Sequence, residues 1–376
     1  MKKFKPIYGY KTKDYSLMRI FVHSSRQKLK IKVSNASDEI RILLTNKYSP
    51  KKLKVRELYA IVNKIKYPIY LKGKKRFKLK ANQEVYSDTI ILSTKDYREM
   101  TVVCKFGLFS KVYGASDFNS TKVYNVEHLG ICNRKVNLGL RTKAINKPNL
   151  QIVLLIKQVE AKSKRRKTIT WFGDSLTNHS HYTQALQKRI IENNLPITIV
   201  NAGHSGNRLL KDGRLLLKPV FGIAGIKRIE EDVFKFNQPN SVVVALGVND
   251  LIHPATNVSA EEMPTSKEMI DGYIKLCRKI QENNSKAIIA TITPFKGFKD
   301  NILPEAEVVR QEVNTWIKTQ RYFDYIIDLD AIVRQEDHPD TLQKQFQGDD
   351  NLHFPAEGGS EIAQAIDLKV LNNIIS

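Results

Sequence analysis

Four short segments in the second half of this 376-residue chain carry residue types that can do chemistry together. The first reads Gly173-Asp174-Ser175-Leu176. A serine on a tight turn from strand to helix holds its hydroxyl exposed, and its own N–H, at the start of the helix, can donate to an oxyanion. Thr177 stands where the second glycine of a G-x-S-x-G elbow would be, so the turn is of another kind. The second segment, Asn201 to Arg208, contains Gly203 and Gly206, where backbone can approach a ligand closely with its N–H unobstructed. The third, Leu246-Gly247-Val248-Asn249-Asp250, offers a side-chain amide as a further donor. The fourth, Asp350-Asn351-Leu352-His353, spaces a carboxylate and an imidazole so that one can fix the tautomer of the other. A nucleophile, a base with its orienting acid, and several oxyanion donors together make acyl-transfer chemistry. Taken singly, each segment also fits an ordinary role: an N-cap, a glycine-containing loop, an Asx turn.

These segments need elements that bring them together. From residue 169 onward, apolar strand patterns (169–172, 197–201, 241–246, 287–292 and 325–329) alternate with amphipathic helical patterns (182–193, 225–236, 267–283, 305–319 and from 358 onward). That alternation predicts a parallel sheet with helices on both faces, with function gathered at the carboxyl ends of the strands. Each segment follows a strand or precedes the last helix. Before residue 160 the pattern is different. Period-two segments such as Leu29, Ile31 and Val33, or Phe77 and Leu79 among lysines, recur with 39–45, 55–62, 85–92 and 100–106 between polar turns. They predict an all-β sandwich. Charge divides at the same place. Residues 1–168 hold 40 Lys and Arg against 11 Asp and Glu, a net of +29, whereas the remainder carries −5. The expected domains are therefore 1–165, all β, and 166–376, α/β.

Composition narrows the classes. With 41% hydrophobic and 27% charged residues the chain is globular rather than disordered. The basic N-terminus has no apolar stretch behind it, and the longest apolar runs fall well short of the ~20 residues of a membrane span. Cys104, Cys132 and Cys277 are widely spaced and odd in number, which fits neither a disulfide framework nor a zinc site. The histidines outside the fourth segment, His23, His128, His179, His181, His204, His253 and His338, show no ligand spacing. A cytoplasmic protein without metal or cofactor is expected, with no membrane partner. Lysine patches such as 72–80 suit phosphate contact but equally suit a solvated strand face, and no nucleic-acid motif accompanies them, so no nucleic-acid partner is expected. Oligomeric state is left open.

In their order, the four segments resemble the blocks of the SGNH family, the GDSL-type esterases and acylhydrolases. The phrases NAGHSGNRLL, GVNDL, TITPF and QEVNTWI resemble more narrowly the bacterial arylesterases that include acetylxylan-esterase-like members, which also have a β-rich N-terminal region. The resemblance implies a three-layer α/β/α flavodoxin-like domain behind a jelly-roll-like one. It implies Ser175 as nucleophile, His353 as general base and later general acid, and Asp350 as the residue orienting His353. The oxyanion hole would be the N–H groups of Ser175 and Gly206 with the amide of Asn249, Gly203 being the competing donor. Two positions depart from the family pattern. His204 replaces an aliphatic residue and is expected at the surface, and Phe354 separates His353 from Pro355. The implied activity is hydrolysis of short acyl esters, O-acetyl groups on carbohydrate first among them, with an acylated small molecule or oligosaccharide as substrate and no cofactor. The alternatives are a broad aryl esterase or lysophospholipase-like acylhydrolase, and an anionic-polymer-binding protein with a vestigial hydrolase domain.

Overall fold

The computed structural model describes residues 3–34, 37–119, 123–136, 150–214, 218–369 and 371; the side chains of His23 and Cys132 lie outside the described residues. By contacts the chain divides into two compact units, residues 1–167 with 187–200, and residues 168–186 with 201–376.

The first unit is all β. A five-stranded antiparallel sheet orders Lys3–Gly9, Ile156–Ser163, Glu39–Thr45 and Glu84–Tyr86, with Ile90–Ile91 also on Glu39–Thr45. A seven-stranded sheet is built around Met18–Lys32, Glu99–Phe106 and Leu53–Val62, and a three-stranded one joins Leu150–Leu154, Gly114–Asn119 and Lys13–Asp14. Alternate residues such as Leu29, Ile31, Leu58, Ala60, Val102 and Cys104 point into one apolar core, as period two requires. Lys157 pairs with Glu84 at 3.0 Å, Lys13 with Asp117 at 2.9 Å and Arg41 with Glu160 at 2.6 Å, so the charges brought into this core are matched.

The α/β region is a five-stranded sheet in the order Ile197–Asn201, Lys167–Gly173, Ser241–Ala245, Lys286–Ala290, Tyr325–Ile327. From Lys167–Gly173 outward to Tyr325–Ile327 the pairs are parallel. In sequence order this is 2-1-3-4-5, and the crevice at its switch point opens between the carboxyl ends of strands Lys167–Gly173 and Ser241–Ala245. The central strands are continuously buried because helices cover the sheet. Helix Ser266–Glu282 begins with a capping box between Thr265 and Glu268 and buries Met269, Tyr273, Leu276 and Ile280, spaced at one helical face. Helix Glu305–Thr319 likewise buries one face through Val309, Val313 and Ile317. Among the described residues, no helix is long and apolar enough to cross a membrane.

Candidate active site

Ser175 stands two residues past the end of strand Lys167–Gly173 and opens the short helix Ser175–Asn178. Asp174 caps that helix, its Oδ1 accepting from Leu176 N–H at 3.0 Å. Burial pushes the Asp174 carboxyl up to about 7. Gly173 cannot carry a side chain: an ideal Cβ would lie 2.7 Å from Thr177 Cβ and 2.8 Å from the Ala245 carbonyl. The first turn of the helix leaves the Ser175 N–H without an intrahelical acceptor.

His353 and Asp350 arrive from the other side of the crevice on the loop before helix Ala356–Ala365. His353 Nδ1 donates to Asp350 Oδ2 at 2.6 Å, which leaves Nε2 to accept from the Ser175 hydroxyl at 2.8 Å. Asp350 Oδ1 also accepts from the backbone N–H of His353 at 2.9 Å and of Leu352 at 3.2 Å. Partial burial would raise the Asp350 carboxyl, but the His353 hydrogen bond and charge and these two N–H groups outweigh it and hold the acid well below the usual carboxylate range. It is ionised across the neutral range. Phe354 explains the spacing before Pro355. It is buried, and its ring meets Tyr182 edge-on at 6.5 Å, while the Tyr182 hydroxyl bonds Thr177 Oγ1 at 2.7 Å. The histidine loop is thereby packed against the helix that carries Ser175.

The candidate oxyanion donors are separated by their hydrogen bonds. Gly203 N–H already donates to Asn201 Oδ1 at 2.9 Å, and its Cα face abuts the backbone of Thr177 and Asn178. Gly203 thus joins the second loop to helix Ser175–Asn178. Gly206 sits at φ +72, where glycine is favoured, with the Phe221 ring packed where a Cβ would be; among the described residues its N–H meets no acceptor. Asn249 Nδ2 donates to the Asn207 carbonyl at 3.2 Å, which fixes the amide and leaves its second hydrogen available. Ser175 and Asn249 are buried, while the side chains of His353 and Asp350 are 22% and 39% exposed. The Ser175 hydroxyl is recessed at the base of a site whose histidine side opens to solvent.

Several further residues hold this arrangement, some inside the four segments and some, such as Arg228, outside them. Arg228, on the turn Gly225–Ile229, is fully buried and spans two site loops. Its Nη2 donates to the Gly173 carbonyl at 2.8 Å, Nη1 to the Ala202 carbonyl at 3.0 Å and to Asp232 at 3.1 Å, and Nε to Asn207 Oδ1 at 2.7 Å. Its guanidinium also lies 4.0 Å over the Phe172 ring. Asn201 Nδ2 donates to the Thr177 carbonyl at 2.7 Å and reaches Ser180 and Thr183. Asp250 accepts from Leu209 and Leu210 N–H at 2.6 and 3.0 Å; burial pushes its carboxyl up to about 6. The His179 ring lies 4.5 Å from that of His353, one helical turn after Ser175, a spacing visible in the sequence. His204 is not at the surface as expected. It is buried, and Nε2 donates to the Val220 carbonyl at 2.8 Å because the segment around 218–223 folds over it. Trp171 is fully buried against Tyr182, so it packs rather than presenting a stacking face. Among the described residues no group of three His, Cys, Asp or Glu is placed to hold a metal ion.

Chemically, this arrangement can deprotonate a hydroxyl, fix the resulting imidazolium beside a carboxylate, and surround a nascent oxyanion with donors. Among solved structures, the psychrotrophic esterase EstA from Pseudoalteromonas sp., at 18% identity, aligns over 55% of this chain and 99% of its own with a TM-score of 0.39. An acetyl xylan esterase, AlAXEase, also at 18%, covers 52% of this chain and 96% of its own at 0.40. A GDSL-like lipase from Bacteroides thetaiotaomicron, at 16%, covers 55% and 87% at 0.38. No curated protein sequence matches the chain significantly. The sequence model of the GDSL-like lipase/acylhydrolase family matches residues 171–359, half of the chain and the whole of the site described above, and the protein belongs to that family.

Proposed function

We propose that the protein is a serine ester hydrolase that removes short acyl groups, O-acetyl foremost, from carbohydrate. The observation that carries this reading is the continuous hydrogen-bonded chain Ser175–His353–Asp350, set beside the Gly206 N–H and the Asn249 amide. Ser175 Oγ attacks the ester carbonyl as its proton passes to His353 Nε2. The tetrahedral oxyanion is met by the N–H groups of Ser175 and Gly206 and by Asn249. His353 then returns the proton to the leaving alcohol, giving an acyl-Ser175 ester. Water, deprotonated by the same imidazole, cleaves that ester by the reverse sequence of proton moves. Asp350 stays a carboxylate throughout, holding Nδ1–H and favouring the imidazolium. The solvent-open histidine side supports a bulky alcohol such as a sugar as leaving group, and the recessed serine supports a small acyl group.

The test is acetate release from acetylated xylo-, manno- and amino-sugar oligomers, set against 4-nitrophenyl esters of increasing chain length. Preference for acetyl with marked dependence on the sugar is expected. Rising activity with chain length and no sugar dependence would replace this reading with a lysophospholipase-like one.

A further inference from the structure

Between residues 64 and 80 the chain has eight Lys and Arg and no Asp or Glu. The segment turns through Leu71 and Lys74 into strand Phe77–Leu79, which pairs antiparallel with Leu53–Val62. Phe77 and Leu79 enter the core, so Arg76, Lys78 and Lys80 share the outward face. The register sets Lys78 directly opposite Lys54. Arg76 and Lys80 lie two residues either side of Lys78, and Lys52 and Arg56 two residues either side of Lys54, so this like-charged cross-strand pair and its flanking cations form a short ladder. Such pairs are destabilising by themselves. Some cations elsewhere in this unit are matched: Lys13 with Asp117, Lys157 with Glu84, Lys162 with Glu39. Here they are not. Among the described residues Lys54, Lys72, Lys74, Arg76, Lys78 and Lys80 form no ion pair, and Lys66 alone of the eight has one, to Glu57.

An aromatic residue adjoins the ladder. The turn after strand Glu99–Phe106 packs on Lys54, an ideal Cβ at Gly107 lying 3.1 Å from Lys54 Cβ. That turn presents Phe109, 82% exposed. A strand face carrying unmatched cations, with an exposed ring on the turn that packs beside Lys54, fits an extended polyanion whose units also offer a face to stack on.

We propose that this face binds an acidic polysaccharide, a polymer of uronic acid units bearing O-acyl esters. The choice of occupant rests on the ester-hydrolase reading above: a nucleic acid would satisfy the charge, but it carries no carboxylic ester for the site to cleave. Holding the polymer on the same chain as Ser175 raises the local concentration of its esters, so the face lowers KM for the polymer and leaves small esters unaffected.

The experiment uses the full chain, with polygalacturonate free of ester groups as the binding probe, and neutral mannan and a 30-nucleotide oligothymidylate as comparisons. Polygalacturonate is expected to bind at 50 mM salt and to weaken at least tenfold by 200 mM. The Lys54→Gln, Arg76→Gln, Lys78→Gln, Lys80→Gln variant should bind it at least tenfold more weakly. Its thermal midpoint should not fall, since repulsion is removed, and its kcat/KM on 4-nitrophenyl acetate should stay within twofold. On O-acetylated polygalacturonate its KM should rise with kcat unchanged. No binding to polygalacturonate at 50 mM salt, undiminished binding by the variant, or tighter binding of oligothymidylate would overturn the proposal. Variant-sensitive polygalacturonate binding by a chain inert on every ester would sustain the binding face and sink the hydrolase reading instead.

Discussion

Asn249 makes one hydrogen bond that can be seen, to the Asn207 carbonyl, and is assigned another that forms only as the reaction proceeds. Its replacement therefore separates the two roles. Asn249→Ala should lower kcat on an aryl acetate by about 100- to 1000-fold with KM little changed, as steady-state kinetics would read. A loss under tenfold would remove the amide from the oxyanion hole. Asp174 tests electrostatics at the same scale. Its carboxyl titrates near 4 when unfolded and at about 7 when buried, so the folded chain holds the proton more tightly. The sign follows: its contribution to stability is fullest below pH 4, declines as pH rises toward 7, and is level above that. Asp174→Asn removes this dependence. The thermal midpoint of the variant relative to the parent should be higher at pH 8 than at pH 5, and equal differences at both pH values would contradict it. The residues proposed to react stand out in the sequence because acyl-transfer chemistry demands particular types in order: Ser175, Asn249, Asp350 and His353 each sit in a segment with a motif, and the structure places Ser175, His353 and Asp350 in hydrogen-bond contact. His204 was misread because its partner is the Val220 carbonyl, and a backbone acceptor leaves no trace in the side-chain pattern.

The elements of the α/β region follow their periodicity closely, with strands at Ser241–Ala245 and Lys286–Ala290 and helices at Ser266–Glu282 and Glu305–Thr319 where apolar spacing predicts them. What periodicity does not reveal is how the loops between them are tied. Arg228 reads as one more cation on an amphipathic helix, yet it is buried and bridges the carbonyls of Gly173 and Ala202. Arg228→Met should cost about 3–5 kcal/mol in denaturant unfolding, because the cation facing buried Asp232 is lost and two carbonyls lose a donor. In the protein that remains folded, kcat should fall more than KM rises, since both loops bearing the donors are released. A cost below about 1 kcal/mol would mean that the loops hold themselves. In the all-β unit, strands Lys3–Gly9 and Ile156–Ser163 escaped the period-two reading. Lys157, Gln158 and Glu160 are buried there through hydrogen bonds and ion pairs, so polar residues stand where alternation expects apolar ones.

Across the whole molecule, the net charge of +24 is not one property but two. The excess lies in residues 1–168 and leaves the hydrolase region mildly acidic. Ion pairs within the all-β unit leave that excess unchanged, because each uses up one of its few acids, and the ladder around Lys54 and Lys78 places part of the excess on one face. Self-repulsion on that scale is screened within about 10 Å at 0.1 M salt. The thermal midpoint of the full chain should therefore rise between 20 and 200 mM sodium chloride, measured by scanning fluorimetry; a flat response would show the charge to be already balanced.

The central claim is that Ser175 is the nucleophile of an ester hydrolase. Turnover of 4-nitrophenyl acetate by the parent and by Ser175→Ala tests it most directly, with the thermal midpoint of each recorded alongside. A fall of at least about 10,000-fold in kcat/KM with the midpoint unchanged is expected. A folded Ser175→Ala protein that still turns over the ester at the parent rate would contradict it.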